Sequence, residues 1–327
     1  MISRRRLLGG VAAAATMGTT RLASAEPPPE VTTLNLSITD SLCQAPQNVA
    51  DELFKAEGFS ELRHRKHGGA ALRAMEVGET DIALNFAAPV LIRVDVGAPI
   101  IILGGGHVGC LELHASKAIR SVSGLKEKKV VVYEERSPPH IFLTMLLAHV
   151  GLNHHTDVET VTRPPREALA LFEAGKVDAI VAAPPVAQEL RAKRIGHVVV
   201  NSTTDRPWSQ YFCCVVVANR SFARKHPVAT KRAMRAILKA SDVCGTEPEQ
   251  AARTLVDRGF TTDASVATQV MKELPYREWR SYNPEDAVRF YALRLHEAGF
   301  IKSNPKKIIA DGTDWRFFNE LRKELKG

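Results

Sequence analysis

The sequence predicts an α/β protein of two lobes, each a mostly parallel sheet flanked by helices, with two strand crossings between them. Three observations carry this. Strand-like and helix-like segments alternate from Val31 to about Leu103. The alternation then restarts and runs from about Lys129 to Val200. Beyond Ser221 the chain is nearly all helical in pattern and carries apolar residues at three- and four-residue spacing, as at Val288, Tyr291, Ala292 and Leu295. Alternating βα segments imply a mostly parallel sheet covered by helices.

In the first unit "VTTLNLSI" reads as a strand. "PQNVADELFKAEGF" reads as a helix because Pro46 suits a first turn. "ELRHRKH" is a strand, and "GAALRAMEVGE" is a helix with Leu72, Ala74 and Met75 on its inner side. "DIALNF" is a short strand, "APVLIRVDVG" a short helix ending at Gly97, and "PIIIL" a buried strand. "CLELHA", Cys110 to Ala115, alternates and reads as a crossing strand. The second unit has strands "KVVVYEE", "DVETVT", "VDAIVA" and "GHVVV", with helices "SPPHIFLTMLLAHVGL", "PPREALALFEAG" and "PPVAQELRAK" between them. After the loop "NSTTDRPWSQ" comes a second crossing strand, "YFCCVVVAN". The second unit already has its own helices, so the late helices must cover the first. The expected division is 26–115 with 211–327 as a discontinuous first lobe, and 116–210 as an inserted second lobe.

The first 25 residues read as an export signal. Arg4, Arg5 and Arg6 precede a weakly apolar Ala/Gly-rich run, and "ASA" at Ala23 to Ala25 is a cleavage pattern. The paired arginines and modest hydrophobicity favour the twin-arginine route. Cleavage near Ala25 would deliver the protein to the periplasm. The whole chain has 44 basic and 36 acidic residues, net +8; residues 1–25 hold four arginines and no acid, so the remainder is 40 against 36, net +4. No Lys/Arg stripe is interleaved with aromatics, which argues against a nucleic-acid partner.

"IIILGGGHVGC" contains Gly104-x-Gly106-x-x-Gly109, the spacing of a dinucleotide turn. Such a turn needs a helix opening within it to hold the pyrophosphate. Here an alternating segment follows instead. The glycines are therefore expected to let the chain leave a buried strand, approach a ligand or the other lobe closely, and enter the crossing. The five cysteines, Cys43, Cys110, Cys213, Cys214 and Cys244, are odd in number and contain no CxxC, so a zinc site of the usual spacing is absent.

The chain from residue 26 resembles the periplasmic substrate-binding proteins of ABC importers, in the nitrate/sulfonate/taurine branch, whose fold pyrimidine-precursor synthases share. The stretches "GGAALRAMEVGETDIALNFAAPVLIRVDVGAPIIILGG", "REALALFEAGKVDAIVAAPPVAQEL" and "PWSQYFCCVVVANRSFARKHPVATKRAMRAIL" carry the likeness. A helix, Gly-x-x-Asp, strand and Pro pattern occurs in both units, at Gly78 to Pro89 and Gly175 to Pro184. The resemblance implies a type II-like periplasmic-binding-protein fold. It also implies a monomer that captures a small organic or oxyanionic molecule in the interlobe cleft by hinge closure and delivers it to an inner-membrane permease and its ATPase. No cofactor is implied.

In open α/β sheets ligands sit beyond the carboxyl ends of the strands. The candidate ligand-binding residues are those of the corresponding loops. Ser41, Gln44, Asn85 and Ser137 offer neutral hydrogen bonds. Helix starts near Pro46, Ala87 and Ser137 offer backbone N–H groups to an anion. Phe86, Trp208 and Tyr211 offer faces for stacking. Cys43, Gly106, His107, Glu134, His140 and Pro184 complete the set. Each has a plainer alternative: Phe86 as core, Trp208 as lobe packing, the histidines as ordinary hydrogen-bonded side chains, Ser137 as the cap of a helix begun by Pro138. No complete set of oxyanion ligands matches the loops, and Glu134 and Glu135 would repel an oxyanion unless Arg136 screens them. The second reading is a cleft enzyme of the same fold, a hydrolase or lyase with Cys43 as nucleophile and His107 or His140 as its base. Cys213 and Cys214 are adjacent in a strand, so at most one of them is expected to face the cleft.

Overall fold

The computed structural model describes residues 26–39 and 41–326. The export signal falls outside them. The first lobe begins with β1 (Thr33–Ile38), α1 (Ala45–Val49), α2 (Asp51–Ala56), β2 (Glu61–Lys66), α3 (Ala71–Glu76), β3 (Ile82–Phe86), α4 (Ala87–Asp95) and β4 (Ile100–Val108). The segment expected as one helix from Pro46 is two, α1 and α2, meeting at Ala50.

β1 and β2 are parallel, and β3 and β4 flank the late strand β10 (Phe212–Asn219), which runs antiparallel to both. Near their start β1 and β3 are tied by Asp81 N–H donating to Asn35 O (2.9 Å). At their carboxyl ends Gln47 of α1 stands between them. Its Nε2 donates to Ser37 O (2.9 Å) and its Oε1 accepts from Leu84 N–H (2.6 Å). One buried amide thus satisfies backbone groups of both strands.

The second lobe contains β5 (Glu112–Ala115), β6 (Lys129–Val132), α5 (Pro138–His149), β7 (Glu159–Thr162), α6 (Pro165–Glu173), β8 (Ala179–Ala182), α7 (Val186–Ala192) and β9 (His197–Asn201). Its sheet has the order β7-β6-β8-β5-β9. Alternate residues face opposite sides. Val130, Val132, Ala179 and Val181 join the main core, while Val131, Ile180 and Ala182 join a separate cluster with Leu169, Phe172 and Leu190 of α6 and α7. The sheet is covered on both faces, as a largely parallel sheet must be.

Two expectations are corrected here. The expected division places β5 in the first lobe, which it ends at residue 115, yet β5 is hydrogen-bonded on both sides within the second sheet. The first crossing is therefore confined to Gly109–Leu111. Gly104 to Gly106 do not let the chain leave β4; they lie inside it. A β-carbon at Gly104 would lie 2.4 Å from the Phe318 ring, at Gly105 2.2 Å from the Phe212 ring, and at Gly106 2.7 Å from Leu84 Cδ2. They are places where the core presses directly on a backbone.

After β10 come α8 (Arg220–Lys225), α9 (Pro227–Thr246), α10 (Pro248–Asp257), α11 (Ala264–Glu273), α12 (Pro284–Glu297), α13 (Pro305–Gly312) and α14 (Arg316–Glu324). α9 packs on α1 and α2, α13 on α4, and α14 on β4. This is the expected return to the first lobe. Two helices also reach the second: α12 packs on both α4 and α5, and α11 meets α7.

Candidate functional site

The parallel strands of both lobes end at one cleft of about 880 Å³. From the first lobe come Ser41 after β1, Lys66 ending β2, Phe86 ending β3, and the turn 259–262 between α10 and α11. From the second come Tyr133, Glu134, Ser137, Pro138 and Pro139 after β6, Pro164, Pro165 and Arg166 after β7, and 183–186 after β8. The walls are mostly apolar: Phe86, Tyr133, Phe260 and six prolines. Ser41, Lys66, Glu134, Ser137, Arg166, Thr261 and Thr262 add polar and charged groups to that wall, the mixture of apolar surface and a set of polar groups found in sites for organic ligands.

Tyr133 Oη accepts from Ala183 N–H at 3.1 Å, joining the loops after β6 and β8. Burial pushes its phenol up, so it stays protonated. Glu134 is exposed and its carboxylate reaches toward Gly69 of the first lobe. Arg166 is paired with Glu189 at 2.7 Å.

Of the residues expected from sequence, Ser41, Phe86, Glu134, Ser137 and Pro184 line this cleft. Ser137 does not cap α5 through its side chain; its hydroxyl folds back onto Glu134 O at 2.6 Å. α5 also starts with two prolines, which have no N–H, so its first turn has little to offer an anion. Asn85 Oδ1 accepts from the Phe86 N–H at 2.9 Å. Ala87 and Gln44 are buried, and neither is on the wall.

Gly106 lies under Leu84 within β4. His140 faces a different groove of about 860 Å³ on the α5–β7 flank, where its Nδ1 accepts from Arg136 N–H at 2.8 Å. Burial, foremost, lowers its pKa. Trp208 is buried edge-on against Phe142, His149 and Phe290, and Tyr211 stacks on Phe290 at 4.0 Å. Both are packing residues at the second crossing, joining α5 to α12.

Cys43 and His107 lie one layer below the cleft. Cys43 Sγ is 3.1 Å from Ser41 Oγ, and the thiol is fully buried. Burial pushes its pKa up to about 12. His107 is buried with Nε2 2.8 Å from Cys43 O and Nδ1 3.0 Å from Val108 O. Both ring nitrogens face acceptors, which suits an imidazolium. Burial pushes its pKa down, but the neighbouring Cys214 and Cys43 sulfurs raise it to about 9. A histidine so engaged takes no proton from Cys43. Around it Tyr276 Oη donates to Leu42 O at 2.8 Å.

Sequence reasoning missed Lys66, Tyr133, Pro164, Pro165, Arg166 and the turn 259–262. The first five were findable by the same rule that gave the others, since each ends or follows a parallel strand. The turn between α10 and α11 follows no strand, so that rule could not reach it.

No curated protein matches this sequence. Among solved structures, the fold is similar to the periplasmic nitrate-binding protein NrtA from Synechocystis PCC 6803, with TM-score 0.77 and 17% identity over 92% of this chain and 90% of that one. It is similar to the alkanesulfonate-binding protein SsuA from Xanthomonas axonopodis pv. citri bound to MOPS, with TM-score 0.67 and 18% identity over 89% and 100%. The desulfurization enzyme DSZB is similar too, with TM-score 0.64 and 15% identity over 90% and 99%. These likenesses establish the periplasmic-binding-protein fold. A family model matches residues 27–256, well over half of the sequence, and the chain therefore belongs to the NMT1-like family.

Proposed function

We propose that this protein is the exported solute-binding component of an ABC importer, working in the periplasm as a monomer. It captures a small organic molecule between its lobes and delivers it to an inner-membrane permease and its ATPase. The observation that carries the reading is the cleft itself: the carboxyl ends of parallel strands from both sheets converge on one volume of about 880 Å³. The likeness to NrtA and SsuA, solute-binding proteins by description, supports it. Export by the twin-arginine signal fits the same role.

The ligand is an organic molecule with an apolar body rather than a small inorganic oxyanion. Phe86, Tyr133, Phe260 and the prolines provide apolar wall, and the first two residues of α5 are prolines, which offer no N–H to an oxyanion. The enzyme reading has less support. Cys43 is fully buried and held protonated by that burial, the reverse of what an attacking thiolate requires.

The test is a thermal-shift screen of residues 26–327 against organic sulfonates, aromatic acids, pyrimidines and nitrate. A ligand at about 100 times its Kd stabilises the native state by about 2.7 kcal/mol. An organic ligand recovered unchanged, with binding retained in Cys43→Ser, supports the proposal. Stabilisation by nitrate alone overturns the ligand class, and consumption of the ligand dependent on Cys43 overturns the receptor.

A further inference from the structure

We propose that Cys110, Cys213 and Cys214 form a binding site for one thiophilic metal ion, of the Zn(II) or Cu(I) class, located where the two crossings meet. Their three sulfurs all lie within 4.8 Å of one another, and all three residues are buried. Two departures from ordinary backbone bring them together. Cys213 and Cys214 are neighbours in β10 and would normally face opposite sides. The pairing of β10 with β4 shifts register between Phe212 and Cys214 and again between Cys214 and Val215. This bulge allows both sulfurs to converge on Cys110, away from the cleft, whose wall includes neither of them. Bulges of this kind re-aim side chains near functional sites.

Cys110 supplies the second departure. Its φ is +111°, in the left-handed half of conformational space where a non-glycine residue is strained. It follows Gly109, whose φ is +78° and where a β-carbon would lie 2.2 Å from Thr203 Oγ1. The Cys110 N–H donates to that same oxygen at 3.3 Å, and Leu111 N–H donates to Ser202 Oγ at 2.8 Å. The two crossings are thus fastened side by side, with Cys110 held in a conformation that a simple apolar contact would not need. Strained residues that persist point to a function at that place.

The chemistry of the donors selects the ion. Three convergent thiols suit soft or borderline ions, which thiolates favour over oxygen ligands. Three sulfur ligands are the set the geometry supplies; the Cys43 sulfur is not part of that group. Nor is His107, because both its ring nitrogens face carbonyl oxygens. The Cys110 and Cys213 sulfurs are 2.7 Å apart. Metal–sulfur bonds of about 2.3 Å would spread ligand sulfurs to about 3.8 Å, a shift of roughly 1 Å for that pair. Each S–H replaced by a sulfur–metal bond releases its proton to solvent. A disulfide would engage two of the sulfurs and leave the third without a role. The cysteines are far apart in sequence, which is why no spacing motif announced them.

The test uses the full chain, reduced and metal-free, titrated separately with Zn(II) and with Cu(I) under a competing chelator. The expected result is one equivalent of one of these ions, proton release on binding, and a melting temperature raised by several degrees. X-ray absorption at the metal edge should report sulfur ligands. Cys213→Ser should weaken binding by at least about 100-fold, the upper end of the loss on removing even a residue that only hydrogen-bonds to a metal ligand. Cys244→Ser, a buried thiol outside the cluster, should not. If Cys213→Ser fails to fold, the absorption spectrum of the wild type decides. Nitrogen or oxygen ligands alone, or no stoichiometric binding of either ion, would overturn the proposal. So would a Cys110–Cys213 disulfide as the form isolated without added oxidant.

Discussion

Closure of the cleft should depend on a polar contact at its far edge. Arg191 of α7 donates through Nη2 to Glu273 of α11, a helix carried by the first lobe. Gln188, also on α7, donates to the same carboxylate oxygen at 3.0 Å, and Gln269 donates to the other oxygen at 2.8 Å. Arg191 Nε lies 3.5 Å from Glu112 of β5. Glu273 therefore accepts from both lobes at once, and Glu273→Gln removes the charge while keeping the shape. Arg191 and Glu273 side chains are 31% and 30% exposed. That burial places the pair between an exposed ion pair, worth about 0.2–1 kcal/mol, and a charged hydrogen bond, worth about 1.5–3 kcal/mol.

An effect of about 1–2 kcal/mol on closure follows, or a factor of about 5–30 in the closed-to-open ratio. If ligand binds the closed form and that form is the minority without ligand, the apparent Kd rises by the same factor. Calorimetry with the ligand found by screening, together with small-angle scattering of the ligand-free protein, measures both ends. An unchanged Kd and an unchanged radius of gyration in Glu273→Gln would refute the reasoning. The pair also predicts a pH dependence. Burial pushes the Glu273 carboxyl up, but Arg191, Gln269 and Gln188 together hold it below its ordinary value near 4.5. Its contribution is therefore present above that value and lost as pH falls through the folded value.

Three further outcomes are expected. Gly105→Ala should destabilise by about 1–3 kcal/mol or more, since its β-carbon would sit 2.2 Å from the Phe212 ring. Gly124→Ala, whose nearest neighbour would be 3.4 Å away, should be close to neutral in the same urea titration. Trp208→Ala should cost about 3–5 kcal/mol of stability and leave the Kd of the folded protein near wild type by calorimetry; a large selective loss of binding would return Trp208 to the site. Glu76→Gln should destabilise at neutral pH, because the buried Glu76 carboxylate accepts from Arg93 at 2.5 and 2.8 Å and from Arg73 at 3.0 Å. Those partners, Arg93 foremost, hold its pKa below the ordinary 4.5. The difference between variant and wild type should thus shrink as pH falls through that lowered value.

What the sequence disclosed about this fold was whatever repeats locally. βα alternation is a local signal, so the two runs of strands and helices could be read from it, but not that Glu112–Ala115 pairs inside the second sheet. The rule that ligands lie beyond strand ends is also local, and it found Ser41, Phe86, Glu134, Ser137 and Pro184 on the cleft wall. Trp208 failed because an aromatic side chain in a polar loop looks the same from sequence whether it faces a ligand or fills the joint between α5 and α12. Only the third dimension distinguishes them. The glycines of β4 failed for a related reason. A glycine required by a turn and a glycine required by a ring pressing from another helix share one letter, and Phe318 lies more than 200 residues from the Gly104 it covers.

The cysteines are the strongest case. Alternation along a strand is among the firmest rules in sequence reading, and it separated Cys213 from Cys214. A register shift of one residue against β4 reverses that inference, and no pattern in "FCCVV" signals the shift. The same stretch that looked least able to build a site is therefore where the backbone departs furthest from regularity: a bulge in one crossing strand, a positive φ in the other crossing, and three sulfurs between them. Under the proposed metal site those irregularities have a common cause, because each brings a ligand into range.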